Sequence, residues 1–324
     1  MKPVARALVI KLGGVGEFVQ AFPAFERIRE AHPKAKITLL TTDPFLALAK
    51  SSPWFNAVEI DGRPKGPAAW LSLITRIRQA RYDRIYDLQN DAHSGTIFQA
   101  LRPFAPEWSG AAAGASLPFR DPGRARMHPL ERNAAQLGAA GIWPDAPTRP
   151  LSAPPPLITW PLPGAGQTRT LAGSARQRPL VLLIPGGETK QAEKRWPIER
   201  YGALAKKLQD EGFDMVILGG LDESPLAHAI QRAAPRTRDL TGRTDFAQIA
   251  SLGARAALAV GNDTGALHLV TAAGAPTIGL FSAASDPDRN GPRGHVTVLQ
   301  SPDLKNLAVD TVTRAALALA QQEP

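Results

Sequence analysis

The 324-residue sequence contains no cysteine. That removes disulfides, thiolate nucleophiles and cysteine-ligated zinc from consideration. Aromatic residues make up only 6%; there is no basic–aromatic interleaving and no RNA-binding signature, so nucleic acid is not an expected partner. No apolar stretch approaches the roughly 18 residues that span a bilayer. The apolar run near Met1 is broken by Lys11 before it reaches the length of a signal-peptide core. A cytoplasmic protein is therefore expected. His32, His93, His128, His228, His268 and His295 are scattered without metal-ligand spacing. Asp286-Pro-Asp288 imitates a D-x-D metal motif, but the proline between its acids and its late position argue against that use. No metal and no cofactor is expected.

Positive charge is in excess. The net charge is +9, and it is unevenly placed. Residues 1–150 hold 20 Lys/Arg against 13 Asp/Glu, and the remainder hold 18 against 16. A basic N-terminal half suits an anionic partner such as a phosphorylated glycolipid or a membrane surface, although a solvated face would read the same.

Short apolar runs alternate with helical periodicity. Ala7–Leu12 reads as a buried strand and Gly13–Gly16 as a turn. Phe18–Ala31 reads as a helix, with Val19, Phe22, Phe25 and Ile28 at three-residue steps. Lys36–Thr41, Ala57–Ile60 and Arg84–Leu88 continue the strands, with helices over Phe45–Lys50 and Trp70–Arg81. After a proline-rich stretch the alternation restarts at Leu180–Ile184, followed by a helix over Pro197–Glu211 and a strand over Phe213–Leu218. This pattern predicts an α/β protein with two Rossmann-like domains, parallel sheets and a central cleft. The expected boundaries are an N-terminal domain 1–150, a proline-rich linker 151–178 and a C-terminal domain 179–324, with the last helix free to pack back on the first domain. Within the linker, Gly164–Gln177 reads as mobile.

The most specific string is Val260-Gly-Asn-Asp-Thr-Gly-Ala-Leu-His-Leu-Val270, an apolar strand running through a polar turn into a helix. Such a junction aims backbone N–H groups and a helix dipole at one spot, which suits a phosphate. Asp263 and Thr264 offer N-cap oxygens, Gly265 permits close approach, and His268 lies about one turn on. Gly13-Gly-Val-Gly16-Glu17 is neither a dinucleotide nor a P-loop fingerprint, which leaves an NAD-type oxidoreductase without its signature. Glu17 stands at the start of the first helix, where an acid is ordinarily only a dipole complement. Ile184-Pro-Gly-Gly-Glu-Thr-Lys-Gln-Ala-Glu-Lys194-Arg-Trp-Pro197 ends a strand with a lysine able to neutralise a diphosphate. Val216–Glu223 ends another strand with glycines and two acids able to accept from ribose hydroxyls.

Taken together, the Val260 string, the opening Leu8–Phe25 string and His128–Ile142 resemble the lipopolysaccharide heptosyltransferases, glycosyltransferase family 9, over nearly the whole chain. The resemblance implies the GT-B fold. It also implies inverting, metal-independent transfer of a heptose or related sugar from an ADP-sugar to an anionic lipopolysaccharide-core acceptor. Peripheral contact with the inner face of the inner membrane would accompany that activity. It casts Glu17, where the family has aspartate, as the catalytic base, and Lys194, with Thr189 before it, as the phosphate contact. Glu223, with Asp222 equally placed, would meet the ribose, and Thr244 within Asp239–Asp245 would meet the base. Asp263, Thr264, Gly265 and His268 would complete the donor site; Gly13, Gly14, Arg63 and Lys65 would meet the acceptor. A non-catalytic nucleotide-sugar or glycolipid binder of the same fold is the alternative.

Overall fold

The computed structural model describes residues 3–60, 64–147, 152–164, 166, 168, 178–187 and 192–321. Contacts divide the chain into two compact units, Met1–Pro154 and Pro155–Pro324.

In the first unit β1 (Arg6–Ile10) leads through α1 (Val15–Val19) and α2 (Phe22–Ala31) to β2 (Lys36–Thr41). Then come α3 (Leu46–Ser51), β3 (Ala57–Ile60), α4 (Pro67–Ala80), β4 (Arg84–Asp87) and α5 (Ala92–Leu101). β5 (Glu107–Gly110), β6 (Leu117–Pro118) and α6 (Pro129–Ala139) complete the unit. The strands lie in the order β3-β2-β1-β4-β5-β6, all in parallel. Central parallel strands are covered on both faces, and this is why Ala7–Ile10 and Ile37–Thr41 are continuous buried runs rather than alternating ones. Leu8, Ile10, Ile85 and Trp108 pack with α4 and α5 residues Leu73, Ile77, Ile97 and Phe98. The scarce aromatics are concentrated under α1 and α2. Phe18 stacks on Phe45 with centroids 4.2 Å apart, and Phe22 and Phe25 meet Trp54.

The predicted single helix over Phe18–Ala31 is two helices. Pro23 cannot donate to the carbonyl of Val19, so the ladder is interrupted, and Ala21 N–H bonds instead to Phe18 O at 3.1 Å. The first of the two starts at Val15, three residues earlier than its apolar spacing suggests, because Gly14 (φ 74°) turns the chain into it.

The second unit repeats the plan: β7 (Leu180–Ile184), α7 (Ile198–Asp210), β8 (Asp214–Ile217), α8 (Ser224–Ala233), β9 (Arg238–Asp239) and α9 (Phe246–Gly253). It continues with β10 (Ala256–Asn262), α10 (Gly265–Ala272), β11 (Thr277–Phe281), α11 (Pro287–Asn290), β12 (Val296–Gln300) and α12 (Val309–Ala320). Its order, β12-β11-β10-β7-β8-β9, is the order of the first sheet with the two halves of the unit taken the same way. In each sheet the chain reverses its direction of growth between two central strands, β1/β4 and β7/β10. Such a switch point opens a crevice at the strands' carboxyl ends, where ligands bind in open α/β sheets. Pro197, expected inside the first turn of α7, is its N-cap. The final helix buries Val312, Ala316 and Leu319 in the second unit's own core, against α7 and β10.

The proline-rich stretch is partly laid on the second unit: Ile158 N–H donates to Ala272 O at 2.8 Å, and the buried Thr168 hydroxyl meets Ser251 at 2.9 Å. Most of Gly164–Gln177 lies outside the described residues.

Gly261, on β10, has no room for a side chain; a Cβ there would stand 2.8 Å from the Ile184 Cβ. Gly261→Ala is expected to cost about 1–3 kcal/mol by overpacking, read as a lower urea midpoint without loss of the helical signal.

Candidate active site

Two sets of functional groups form, one at each switch point. In the first unit Lys11 extends β1 by one residue and is fully buried, with its Nζ 2.8 Å from Glu17 Oε2 and 3.3 Å from Leu88 O. Glu17 sits in the first turn of α1, its side chain 40% exposed. Its other oxygen, Oε1, accepts from Arg132 on α6 at 3.0 Å. Each carboxylate oxygen thus has its own cation. Burial works to raise the Glu17 pKa, but the Lys11 ammonium and the Arg132 guanidinium prevail and hold it at about 2. Burial also pushes the Lys11 pKa down, against the pull of Glu17.

The floor of this site is the loop after β4. Asp87 Oδ1 accepts from the amides of Gln89 (3.1 Å) and Asn90 (2.9 Å), and Asn90 takes the left-handed conformation, φ 52°. Gln89 Oε1 receives Leu12 N–H at 2.9 Å, joining this loop to the one carrying Gly13 and Gly14. Gln136 of α6 donates to Asp87 O at 2.9 Å and accepts from Asn90 Nδ2 at 2.7 Å, so the backbone that carries Arg132 is anchored. Burial pushes the Asp87 carboxyl up to about 6, against the hydrogen bonds from Asn90, Ser94 and Gln89. Gly13 is half-buried, Gly14 is exposed, and Lys65 is exposed before α4. Arg63 lies outside the described residues.

In the second unit the equivalent position is organised by Asn262, 1% exposed. Its Nδ2 donates to Pro185 O (2.8 Å) and Gly186 O (3.1 Å); its Oδ1 accepts from Trp196 N–H (3.0 Å) and the Tyr201 hydroxyl (3.1 Å). One amide therefore ties the ends of β7 and β10 to the entrance of α7. Next to it, Asp263 pairs with Lys194 at 3.3 Å and accepts from the Ser285 hydroxyl.

The expected N-cap roles are not adopted. Asp263 takes the charge-assisted bond to Lys194 in preference to an amide, and Thr264, the N-cap residue of α10, makes no side-chain capping bond. Among the described residues, the buried hydroxyls of Thr264 and Thr244 find no partner at all. Both hydroxyls keep bonding capacity that a ligand or a water can use.

Of the two acids after β8, Glu223 turns inward and Asp222 is exposed. The Glu223 oxygens receive Gly187 N–H at 2.8 Å and Gly220 N–H at 2.9 Å. A Cβ at Gly186 or Gly219 would stand 1.7 or 2.3 Å from that carboxylate, so both glycines are required by its position. The carboxylate retains lone pairs for a ligand hydroxyl. Thr244 lies just before the N-cap of α9, and His268 is 6% exposed on α10. Asp286 only caps α11, accepting from Asp288 N–H at 2.9 Å. Thr189 lies outside the described residues.

Residues 70–309 match the model of glycosyltransferase family 9 (heptosyltransferase). The chain belongs to that family. It is 28% identical over 313 residues to lipopolysaccharide heptosyltransferase 2 of Escherichia coli strain K12, covering 90% of this chain and 86% of that one. Similarity to lipooligosaccharide heptosyltransferase 2 of Haemophilus influenzae is 26% over 297 residues, 86% of this chain and 83% of that one. Among solved structures, E. coli ADP-heptose lps heptosyltransferase II aligns with TM-score 0.83 at 23% identity, over 97% of this chain and 98% of that one. The E. coli heptosyltransferase WaaC with ADP aligns with TM-score 0.69 at 19% identity, over 96% and 98%. The protein is a glycosyltransferase with the GT-B fold.

Reading this family-9 chain by sequence overlooked Lys11, Asp87, Arg132, Asn262 and Ser285 as site residues. Lys11 carried a usable signal, since a cation inside an apolar strand is costly unless it is paired. Arg132 carried none: its partner is 115 residues away.

Because Asp87 binds its proton more tightly folded than unfolded, its contribution to stability is fully present below its ordinary pKa of 3.8 and lost as pH rises through about 6. Asp87→Asn removes this titration. Urea unfolding of both proteins from pH 4 to pH 7 is expected to show the wild type losing ground to the variant as pH rises; a constant difference would contradict the raised pKa.

Proposed function

We propose that this glycosyltransferase transfers a heptose from ADP-heptose, with inversion and without a metal, to an anionic lipopolysaccharide inner-core acceptor. The carrying observation is Glu17: a half-exposed carboxylate, ionised across the physiological range, at the switch point of a basic unit. The second unit supplies what a leaving diphosphate requires. Lys194 is held by an acid it can leave, and the α10 N-terminus presents amides beside the unpartnered Thr264 hydroxyl. The donor and acceptor classes are supported by the relatives and structural neighbours, which are lipopolysaccharide and lipooligosaccharide heptosyltransferases, one of them with ADP.

In this reading the acceptor hydroxyl attacks the anomeric carbon from the face opposite the diphosphate. Its proton passes to Glu17, and the anomeric C–O bond breaks with its electron pair leaving on ADP. Lys194, the Thr264 and Gly265 amides and the α10 dipole stabilise the charge that develops there. Thr189 adds a phosphate contact, Glu223 accepts from the ribose, Thr244 meets the base and His268 completes the donor pocket. Gly13, Gly14, Arg63 and Lys65 serve the acceptor. The 1–150 domain is thus the acceptor domain, 179–324 the donor domain and 151–178 the linker between them. Among the described residues no helix is long and apolar enough to cross a membrane. We place the enzyme at the cytoplasmic face of the inner membrane in peripheral contact.

Purified protein given ADP-heptose is expected to release ADP in proportion to added heptose-deficient core glycolipid. Glu17→Gln is expected to lower that transfer by about 100-fold or more, as loss of a general base does, while ADP-heptose binding by calorimetry stays within about twofold. A variant that keeps most of its turnover removes Glu17 from the role of base.

A further inference from the structure

Glu17 carries more positive charge than a base needs. Two cations hold its two oxygens, and they differ in freedom. Lys11 is fully buried just past the end of the central strand β1 and tethered to Leu88 O as well, so it cannot leave. Arg132 reaches Glu17 from α6 at the end of a long side chain that is 20% exposed, and among the described residues its guanidinium has no second partner. The α6 backbone is fixed through Gln136, which leaves only the side chain to move.

We propose that Arg132 masks Glu17 and is drawn off it by the anionic group of the acceptor, so that the base is freed only when an acceptor is bound.

The proposal rests on Glu17 being the base. A carboxylate paired twice binds a proton weakly, whereas a general base works best with a pKa near the operating pH. The groups facing Glu17 are Lys11 from β1 and Arg132 from α6, with Asp87 of β4 acting on it only through Lys11. Of these, Arg132 alone is accessible to an anion. A guanidinium prefers a phosphate or carboxylate that can take it bidentately, and Arg132 offers Glu17 a single N–H. Handing Arg132 to the acceptor therefore exchanges one ion pair for a better one and restores basicity to Glu17 at the moment of need. It also restrains a wasteful reaction. With donor bound and no acceptor present, water could attack the anomeric carbon, pass its proton to Glu17 and expel ADP with the bonding electron pair. The masked carboxylate is a poor base for that water.

The test uses the full chain and ADP-heptose, with heptose-deficient core glycolipid in intact and dephosphorylated forms, and variants R132Q, R132K and E17Q/R132Q, each checked by thermal melt. R132Q is expected to raise acceptor-independent ADP release several-fold and to move the acidic limb of kcat/KM to higher pH. It should also flatten the preference for the phosphorylated acceptor. R132K restores much of the wild-type coupling, because it returns the charge. E17Q/R132Q is expected to lose the extra release. If R132Q releases ADP without acceptor at the wild-type rate and its pH profile is unmoved, the masking role is overturned while Glu17 stands. If the extra release persists in E17Q/R132Q, the base is another group and the reading of Glu17 itself falls.

Discussion

A lysine ammonium buried at the end of the central strand is the constraint on which the first half-site depends. Burying a lone cation is costly, and the fold answers with Glu17 at 2.8 Å and a backbone carbonyl at 3.3 Å. The need to neutralise Lys11 fixes where Glu17 points. That orientation in turn requires Gly14, three residues before Glu17, whose positive φ turns the chain into α1 at Val15; a Cβ there would also touch the Glu17 side chain at 3.4 Å. Arg132 then overcompensates the carboxylate, and the surplus charge is what makes a conditional base physically reasonable.

The second half-site solves a different problem with an uncharged group. Asn262, at the end of β10, has its amide saturated by four bonds, two to the chain after β7 and two from the entrance of α7, and so holds the β7/β10 switch point without a charge. That leaves the chemistry to its neighbours. Asp263 holds Lys194 in a pair that a diphosphate could replace, and among the described residues the buried hydroxyls of Thr244 and Thr264 have no partner. Glu223 spends two lone pairs on backbone amides, which orients it while leaving capacity for a ligand.

The glutamate at position 17, where the resemblance to the family implies an aspartate, is held by two cations. One extra carbon–carbon bond moves a carboxylate by up to about 1.5 Å, and here that reach ends between Lys11 and Arg132.

Strands were legible because central parallel strands are buried on both faces and therefore appear as unbroken apolar runs; β1, β2 and β7 fall where those runs do, whereas the half-buried edge strand β3 is interrupted by Glu59. The strand-to-helix turns at Gly13–Glu17 and Asn262–Gly265 were legible for the same reason, since a polar turn after such a run is conspicuous. Helix limits were less so: Pro23 and Gly14, single residues acting on backbone hydrogen bonds and φ, overrode the apolar spacing that suggested one helix over Phe18–Ala31. What the sequence by itself determined was local, namely which segments are strands, where the two glycine-and-acid turns lie, and which residue types stand in them. Which of those residues meet was decided only by the tertiary structure. One of the two partners of Glu17, Arg132, is 115 residues away on α6, and that of Lys194 is 69 residues away in the turn after β10. Such pairings have no periodicity to betray them. They exist because the sheet order 3-2-1-4-5-6, used in both units, brings the carboxyl ends of β1 and β4, and of β7 and β10, side by side.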